Sequence, residues 1–275
     1  MHAQSDINIQ QITELIGLIK KLYGFDFANY SKASLRRRII RIMQLQKLPF
    51  YDLKHQLVNS REFFQTFLEE ITVNVTEMFR DPSFYQALNN QIIPYLSSYQ
   101  HSKIWCAGCS SGEEAYSLAI LLNEAGLRKK SFIYGTDINT EVLNEARKGI
   151  YSLRKIKSYA ENYQMAGLSG SIIDHFTILY DAASIHNELK QNTLFSVHNL
   201  VSDSVFNEFQ LICCRNVFIY FENALQEHVL ELFYNSLAPL GFLCLGTKET
   251  IRSESFRKKF KTINQKENIY QKIGS

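Results

Sequence analysis

The stretch Lys103-Ile-Trp-Cys-Ala-Gly-Cys-Ser-Ser-Gly-Glu-Glu-Ala-Tyr116 decides how this chain folds. Residues 104–106 form a short apolar run that reads as a buried strand. Ala107-Gly108-Cys109-Ser110-Ser111-Gly112 is a tight turn of small residues, and Leu118, Ile120, Leu121 and Leu122 mark a helix over 113–125. A second strand over 132–135 leads to Asp137. Strand, glycine turn, helix, and a strand ending in an acid make the nucleotide-binding half of a doubly wound α/β sheet. In such a half, Gly108 and Gly112 let the backbone approach a ligand, and Asp137 accepts hydrogen bonds from ribose hydroxyls.

The turn departs from G-x-G-x-x-G at Ala107 and Ser110, and it lacks the lysine of a phosphate loop. Glu113 and Glu114 stand where a pyrophosphate would lie and would repel one. A cationic ligand without phosphate, such as S-adenosyl-L-methionine, meets no such repulsion. On these residues alone, a second reading stays open: both acids simply favour the helix dipole.

At 275 residues and 45% hydrophobic, the chain suits one large domain or two modest ones with an ordinary core. The N-terminus has no signal-peptide pattern, and no apolar run approaches a membrane span. The expectation is a cytoplasmic protein with no direct membrane insertion. Of the five cysteines, Cys106 and Cys109 have metal-like spacing, but no second ligand pair exists, and free buried thiols are expected. No metal site is expected.

Residues 8–85 read as helical, with apolar positions at Ile12, Leu15, Ile16, Ile19 and Leu22, then Phe63, Phe64, Phe67, Leu68 and Ile71. Residues 1–50 carry eight Lys/Arg against three acids, Asp6, Glu14 and Asp26. A helix over 34–46 puts Leu35, Ile39, Ile42 and Met43 on one face and Arg37, Arg38 and Arg41 on the other. That basic face is either merely solvated or a docking surface for something acidic. Asp81-Pro82 ends or restarts a helix, and Pro94 lies near the close of the next.

From Lys103 strands and helices alternate. Strands are expected at 103–108, 131–137, 193–199, 209–215 and 241–246. Helices are expected at 112–126, 140–148 and 223–238, and a hairpin at 260–265 and 268–273. A parallel sheet closed by an antiparallel hairpin fits a methyltransferase better than a dehydrogenase. Residues 150–192 break the alternation. They are polar and Tyr-rich, and too many for a plain connection. An insertion with its own structure is expected, including a strand at 176–180.

Five motifs now stand in order: Asn74-Val-Thr-Glu-Met-Phe-Arg80-Asp81, Trp105 through Tyr116, Thr136-Asp-Ile-Asn139, His198-Asn-Leu200 and Cys214-Arg-Asn-Val-Phe-Ile-Tyr-Phe221. With these the chain resembles the chemotaxis receptor glutamate O-methyltransferases, the CheR family, over about residues 10–273. The resemblance implies a helical N-terminal domain, placed here at 1–85. A catalytic domain with an S-adenosylmethionine-dependent methyltransferase fold follows at 86–275, carrying a small β-rich insertion at about 150–192.

It further implies that Asn74, Thr76 and Arg80 close over the cofactor. Glu114 faces its methionine end, Asp137 holds the ribose, Asn199 and Leu200 contact the adenine, and Arg215 and Asn216 complete the pocket. Arg80 and Tyr220 are the implied catalytic residues, nearest the methyl and the substrate carboxylate. Without the resemblance, Asn74 and Thr76 read as helix caps, Tyr220 as a core aromatic, and Arg80 as a partner of Asp81 or Glu77.

The implied reaction is methyl ester formation on glutamate side chains of chemoreceptors, in adaptation of chemotaxis signalling, with S-adenosyl-L-homocysteine as product. Receptor cytoplasmic helices would dock on Arg37, Arg38 and Arg41. Met78 and Ala115 replace the family's usual aromatic and proline without removing a polar contact. Some members grip a receptor tail with a glycine-rich loop in the insertion. Residues 177–185 contain no glycine, so such tethering is not expected here.

Within methyl transfer two alternatives stand beside this reading: a different signalling protein as substrate, or nucleic acid. All four prolines, Pro49, Pro82, Pro94 and Pro239, are isolated, so the N-P-P-Y type and Pro-Cys motifs of base methylation are absent. No nucleic-acid partner is expected. A binding module that only senses S-adenosylmethionine is disfavoured because the pocket motifs are intact. An NAD-linked oxidoreductase is disfavoured by the incomplete glycine motif and the acidic helix start.

Overall fold

The computed structural model describes residues 7–72 and 74–274. Asp6 lies outside the described residues. By packing, the chain divides into Met1–Asn74 with Tyr220–Val229, and Val75–Ile219 with Leu230–Ser275.

The first unit holds α1 (Ile9–Tyr23), α2 (Lys32–Gln46), α3 (Phe50–Asn59) and α4 (Arg61–Thr72). A capping box starts α1: Asn8 accepts from the Gln11 N–H and Gln11 from the Asn8 N–H. Gly24, with φ 79°, ends it in the left-handed region. Ser31 accepts from the Ser34 N–H, so α2 starts at Lys32, two residues before its expected start. The apolar faces of α1, α2 and α4 meet in one core built from Ile12, Leu15, Ile39, Ile42, Phe67 and Leu68 among others. Leu22, assigned to that periodicity, is exposed.

The second unit opens with α5 (Pro82–Ala87), a π turn (Leu88–Ile92) and α6 (Ile93–Ser97). Pro82 sits at the first helical position, where no N–H is needed. Pro94 has no N–H for the carbonyl four residues back, and its ring crowds that carbonyl. The chain widens into the π turn just before it, with the Ile93 N–H reaching Leu88 O.

Then follow β1 (Ser102–Ala107), α7 (Glu113–Glu124), β2 (Ser131–Asp137), α8 (Thr140–Lys148), β3 (Ile150–Ser152), α9 (Leu153–Met165), β4 (Phe176–Ile178), β5 (Ala182–Ile185) and α10 (Asn187–Lys190). The chain ends with β6 (Thr193–Val197), β7 (Phe209–Cys214), α11 (Asn223–Ser236), β8 (Leu237–Leu245), α12 (Glu254–Arg257), β9 (Phe260–Asn264) and β10 (Ile269–Lys272).

The main sheet has the order β6-β2-β1-β7-β8-β10-β9. Its first five strands are parallel, and β10 runs antiparallel between β8 and β9. Strand order reverses at β1: the chain builds out to β2 and β6 on one side and to β7 and β8 on the other. The crevice beyond the carboxyl ends of the strands at such a reversal is where doubly wound sheets bind ligands. The loops after β1, β2, β6 and β7 are the ones that carry the motifs.

The insertion contains the antiparallel sheet β3-β5-β4, with the strand expected at 176–180 present as β4. Its longest element is α9. Ile156, Tyr159 and Tyr163 of that helix are buried in the same core as β1 and α7. Their spacing of three and four is interrupted by the charged Lys157 and Glu161, and the helix was not among the expected elements.

All five cysteines are free and buried. Burial raises the Cys106, Cys109 and Cys214 thiols well above their ordinary range, which keeps them protonated and unreactive. Among the described residues no helix is long and apolar enough to cross a membrane.

Candidate functional site

The glycine turn is tied to β2. The Gly108 and Cys109 N–H groups both donate to Thr136 O, at 2.8 and 2.9 Å. Gly108 has φ 75°, and a Cβ there would lie 2.5 Å from Val217 Cγ2. Gly112 has φ 89°, and its Cβ would lie 2.9 Å from Ala146 Cβ. Both glycines are thus required by the fold itself, at close approaches to the loop after β7 and to α8.

Asp137 closes β2. Its Oδ2 accepts from the Ser110 N–H at 2.9 Å and its Oδ1 from the Asn139 N–H at 3.0 Å. Burial raises its carboxyl, against the pull of these N–H groups. Each oxygen keeps a second lone pair, so the carboxylate can still accept from a diol.

The two acids at the start of α7 separate in role. Glu113 is fully buried: its Oε1 accepts from Lys155 Nζ and Tyr159 OH, both at 3.0 Å, and its Oε2 from Ser111 Oγ at 2.7 Å. It belongs to the support of the turn and does not share the ligand-facing place expected for the pair. Glu114 keeps 16% side-chain exposure and pairs with Arg215 at 3.0 Å. Burial raises its carboxyl, opposed by Arg215.

Arg215 is the hub of the segment that carries Arg80. Besides Glu114, it pairs with Asp81 Oδ2 at 2.7 Å and donates to Arg80 O at 3.2 Å. Its guanidinium also lies over the Phe84 ring, 3.9 Å from the centroid. With 1% side-chain exposure it acts on its neighbours more than on the crevice. Asp81 thus pairs with Arg215 and not with Arg80, whose Nη1 donates to Val75 O at 3.1 Å. Phe79 and Asp81, with φ 53° and 59°, flank Arg80 in the left-handed region. The Phe79 N–H donates to Ser117 Oγ at 2.9 Å. Thr76 lies half-buried in the same segment.

After β6, Asn199 organises its own loop: its Oδ1 accepts from the Val201 N–H at 3.0 Å and its N–H donates to Asp203 Oδ2 at 2.9 Å. Leu200 is buried beside it. After β7, Asn216 has φ 63°. Glu249 holds this loop and was missed in the sequence. Its Oε2 accepts from the Asn216 N–H at 2.8 Å and the Gly246 N–H at 2.6 Å, and its Oε1 from the Ile219 N–H at 3.2 Å. No motif flagged it, because its partners are backbone groups, and those of Asn216 and Ile219 lie 33 and 30 residues away.

The remaining candidates belong to the first unit. The Asn74 side chain packs on the end of α4, donating to Glu69 O at 3.3 Å. Tyr220 accepts the Ser31 N–H at its carbonyl, 2.8 Å away. Arg37, Arg38 and Arg41 line one surface groove with Lys32, Arg36 and Ile9. Arg41 pairs with Glu70 at 3.2 Å, Arg38 is half-buried, and Arg37 is exposed.

The residues of the second unit fit S-adenosylmethionine. Asp137 offers diol acceptors at the end of β2. Glu114 sits at the start of α7, and the glycine turn presents no side-chain cation for a phosphate.

The sequence profile of the CheR methyltransferase SAM-binding domain matches residues 74–269, and that of the CheR all-alpha domain matches residues 10–72. The chain is 40% identical to the putative methyltransferase Cher3 of Pseudomonas putida over 269 residues, covering 98% of this chain and 97% of that one. It is 31% identical to the chemotaxis protein methyltransferase of Salmonella typhimurium, covering 90% and 85%. It is 30% identical to that of Listeria monocytogenes, covering 85% and 87%.

Proposed function

This chain belongs to the CheR methyltransferase family and is an S-adenosylmethionine-dependent methyltransferase; from that premise we propose that it forms methyl esters on glutamate side chains of chemoreceptor cytoplasmic helices. What supports the reading is the match to both family domains over 10–72 and 74–269. A cytoplasmic setting follows from that substrate.

When bound, S-adenosylmethionine supplies an electrophilic methyl on a sulfonium. The residues of the chain have to place a carboxylate oxygen in line with it. A glutamate side chain with a pKa of about 4.3 is already ionised at neutral pH, so no general base is required. The main task is orientation. Arg80 steers and orders the acid while leaving one oxygen free, because a tight bidentate grip would stabilise the ground state as well. Tyr220 orients that oxygen or lines the methyl path. Asn74 and Thr76 close over the cofactor, Glu114 faces its methionine end and Asp137 holds the ribose. Asn199 and Leu200 flank the adenine, and Asn216 completes the pocket. Arg215 keeps Arg80 and Glu114 in place. The Arg37, Arg38 and Arg41 face docks the acidic receptor helix.

The test is transfer of labelled methyl from S-adenosylmethionine to membranes carrying the host's chemoreceptors, followed by alkali. Release of label as methanol from receptor bands is expected. Label on another protein alone, or alkali-stable label, overturns the receptor glutamate assignment.

A further inference from the structure

The helix α9 lies outside every motif, yet its side chains end on both parts of the site in the second unit. Tyr159 OH and Lys155 Nζ both reach Glu113 Oε1 at 3.0 Å. Tyr151, just ahead of the helix, donates from its hydroxyl to Ser111 O at 2.9 Å. These contacts grip the turn between β1 and α7. One turn further on, Asn162 Nδ2 donates to Met78 O at 3.0 Å, and the Tyr163 ring stands edge-on to Phe79 with centroids 5.3 Å apart. These contacts grip the segment that carries Arg80. Positions 155, 159 and 162 are spaced by four and three, which puts them along one side of a helix.

We infer that α9 is a strut that sets the cofactor turn and the Arg80 segment relative to one another, with Tyr159 and Asn162 as positioning residues for methyl transfer. The inference rests on the role of Arg80 proposed above.

Two features show that both grips matter. Glu113 is fully buried and directly precedes Glu114, so anchoring one fixes where the other leaves the helix start. Arg80 sits between two residues in the left-handed region, a backbone shape that persists only when its surroundings over-determine it. Asn162 holds the carbonyl immediately before that kink, Ser117 holds the Phe79 N–H, and Arg215 holds Arg80 O. In-line displacement depends on placement, so loss of one anchor reads out in turnover.

The test uses the full chain with Asn162→Ala, Asn162→Asp and Tyr159→Phe. Asn162→Asp keeps the side-chain shape and removes the donor. Three quantities are measured: S-adenosylmethionine affinity by calorimetry, turnover on the methyl-accepting protein, and amide exchange at 79–81 and 110–114. Both Asn162 variants are expected to speed exchange at 79–81 and lower turnover by about tenfold, with cofactor Kd changed less than about twofold. Tyr159→Phe is expected to raise cofactor Kd by about tenfold and speed exchange at 110–114, leaving 79–81 unchanged. Variants that move both segments alike, or neither, overturn the strut. If the parent labels no receptor, the proposed function fails, while exchange and cofactor affinity still decide the role of α9.

Discussion

Arg215 Nη1 stands 3.0 Å from Glu114 Oε2, and this pair joins the end of β7 to the start of α7. The same guanidinium holds Asp81 and the Arg80 carbonyl, so one side chain ties together three segments of the site. Burial alone would lower the Arg215 pKa, but Glu114 and the other acids around it raise it above its ordinary value. Arg215→Ala should destabilise the chain by roughly 3–5 kcal/mol, because it strands a mostly buried carboxylate. Arg215→Lys should recover part of this, since an ammonium cannot span both acids. Urea unfolding measures both; equal stability of parent and Arg215→Ala would refute the hub.

Gly108→Ala should cost about 1–3 kcal/mol from crowding and strained φ. The added methyl meets Val217 at 2.5 Å, so Val217→Ala should relieve the crowding but not the φ strain. A double-mutant cycle on unfolding midpoints reads the coupling; strictly additive effects would show that the loops do not touch.

Burial raises the Asp137 carboxyl above its ordinary 3.8. A group whose folded pKa is raised contributes stability in full below its unfolded pKa and loses it as pH rises through the folded value. Asp137→Asn lacks this loss and carries only a constant cost from its altered hydrogen bonds. Above about pH 4 the variant should therefore gain on the parent, by at most about 1.4 kcal/mol per pH unit. Unfolding curves from acid to neutral pH test this; a gap independent of pH rules out a penalty on the ionised carboxylate.

Arg80→Ala should lower turnover far more than it lowers cofactor affinity, because the side chain is proposed to order the acceptor acid. Turnover set beside calorimetric Kd checks it, and equal turnover in the two proteins sinks the role.

Arg37→Glu should weaken receptor methylation at low salt, with the deficit shrinking as ionic strength rises. Arg37 is the cleanest probe because Arg41 already pairs with Glu70. Methylation unchanged at low salt would remove the docking face.

The sequence by itself determined the secondary structure around the site, the cofactor class and the family. These depend on local patterns: apolar period in α1, α2 and α4, small residues at Gly108 and Gly112, an acid at Asp137, and motif order. Tertiary structure alone decided which protein groups each charged residue holds. Glu113 and Glu114 are neighbours in sequence, yet Tyr159 and Lys155 bind one and Arg215 the other. Glu249 and Asn162 act on backbone groups of Asn216 and Met78, and any polar side chain at those positions would look the same in the sequence. Backbone hydrogen bonds between distant segments leave no mark in residue spacing, because every residue offers the same amide and carbonyl.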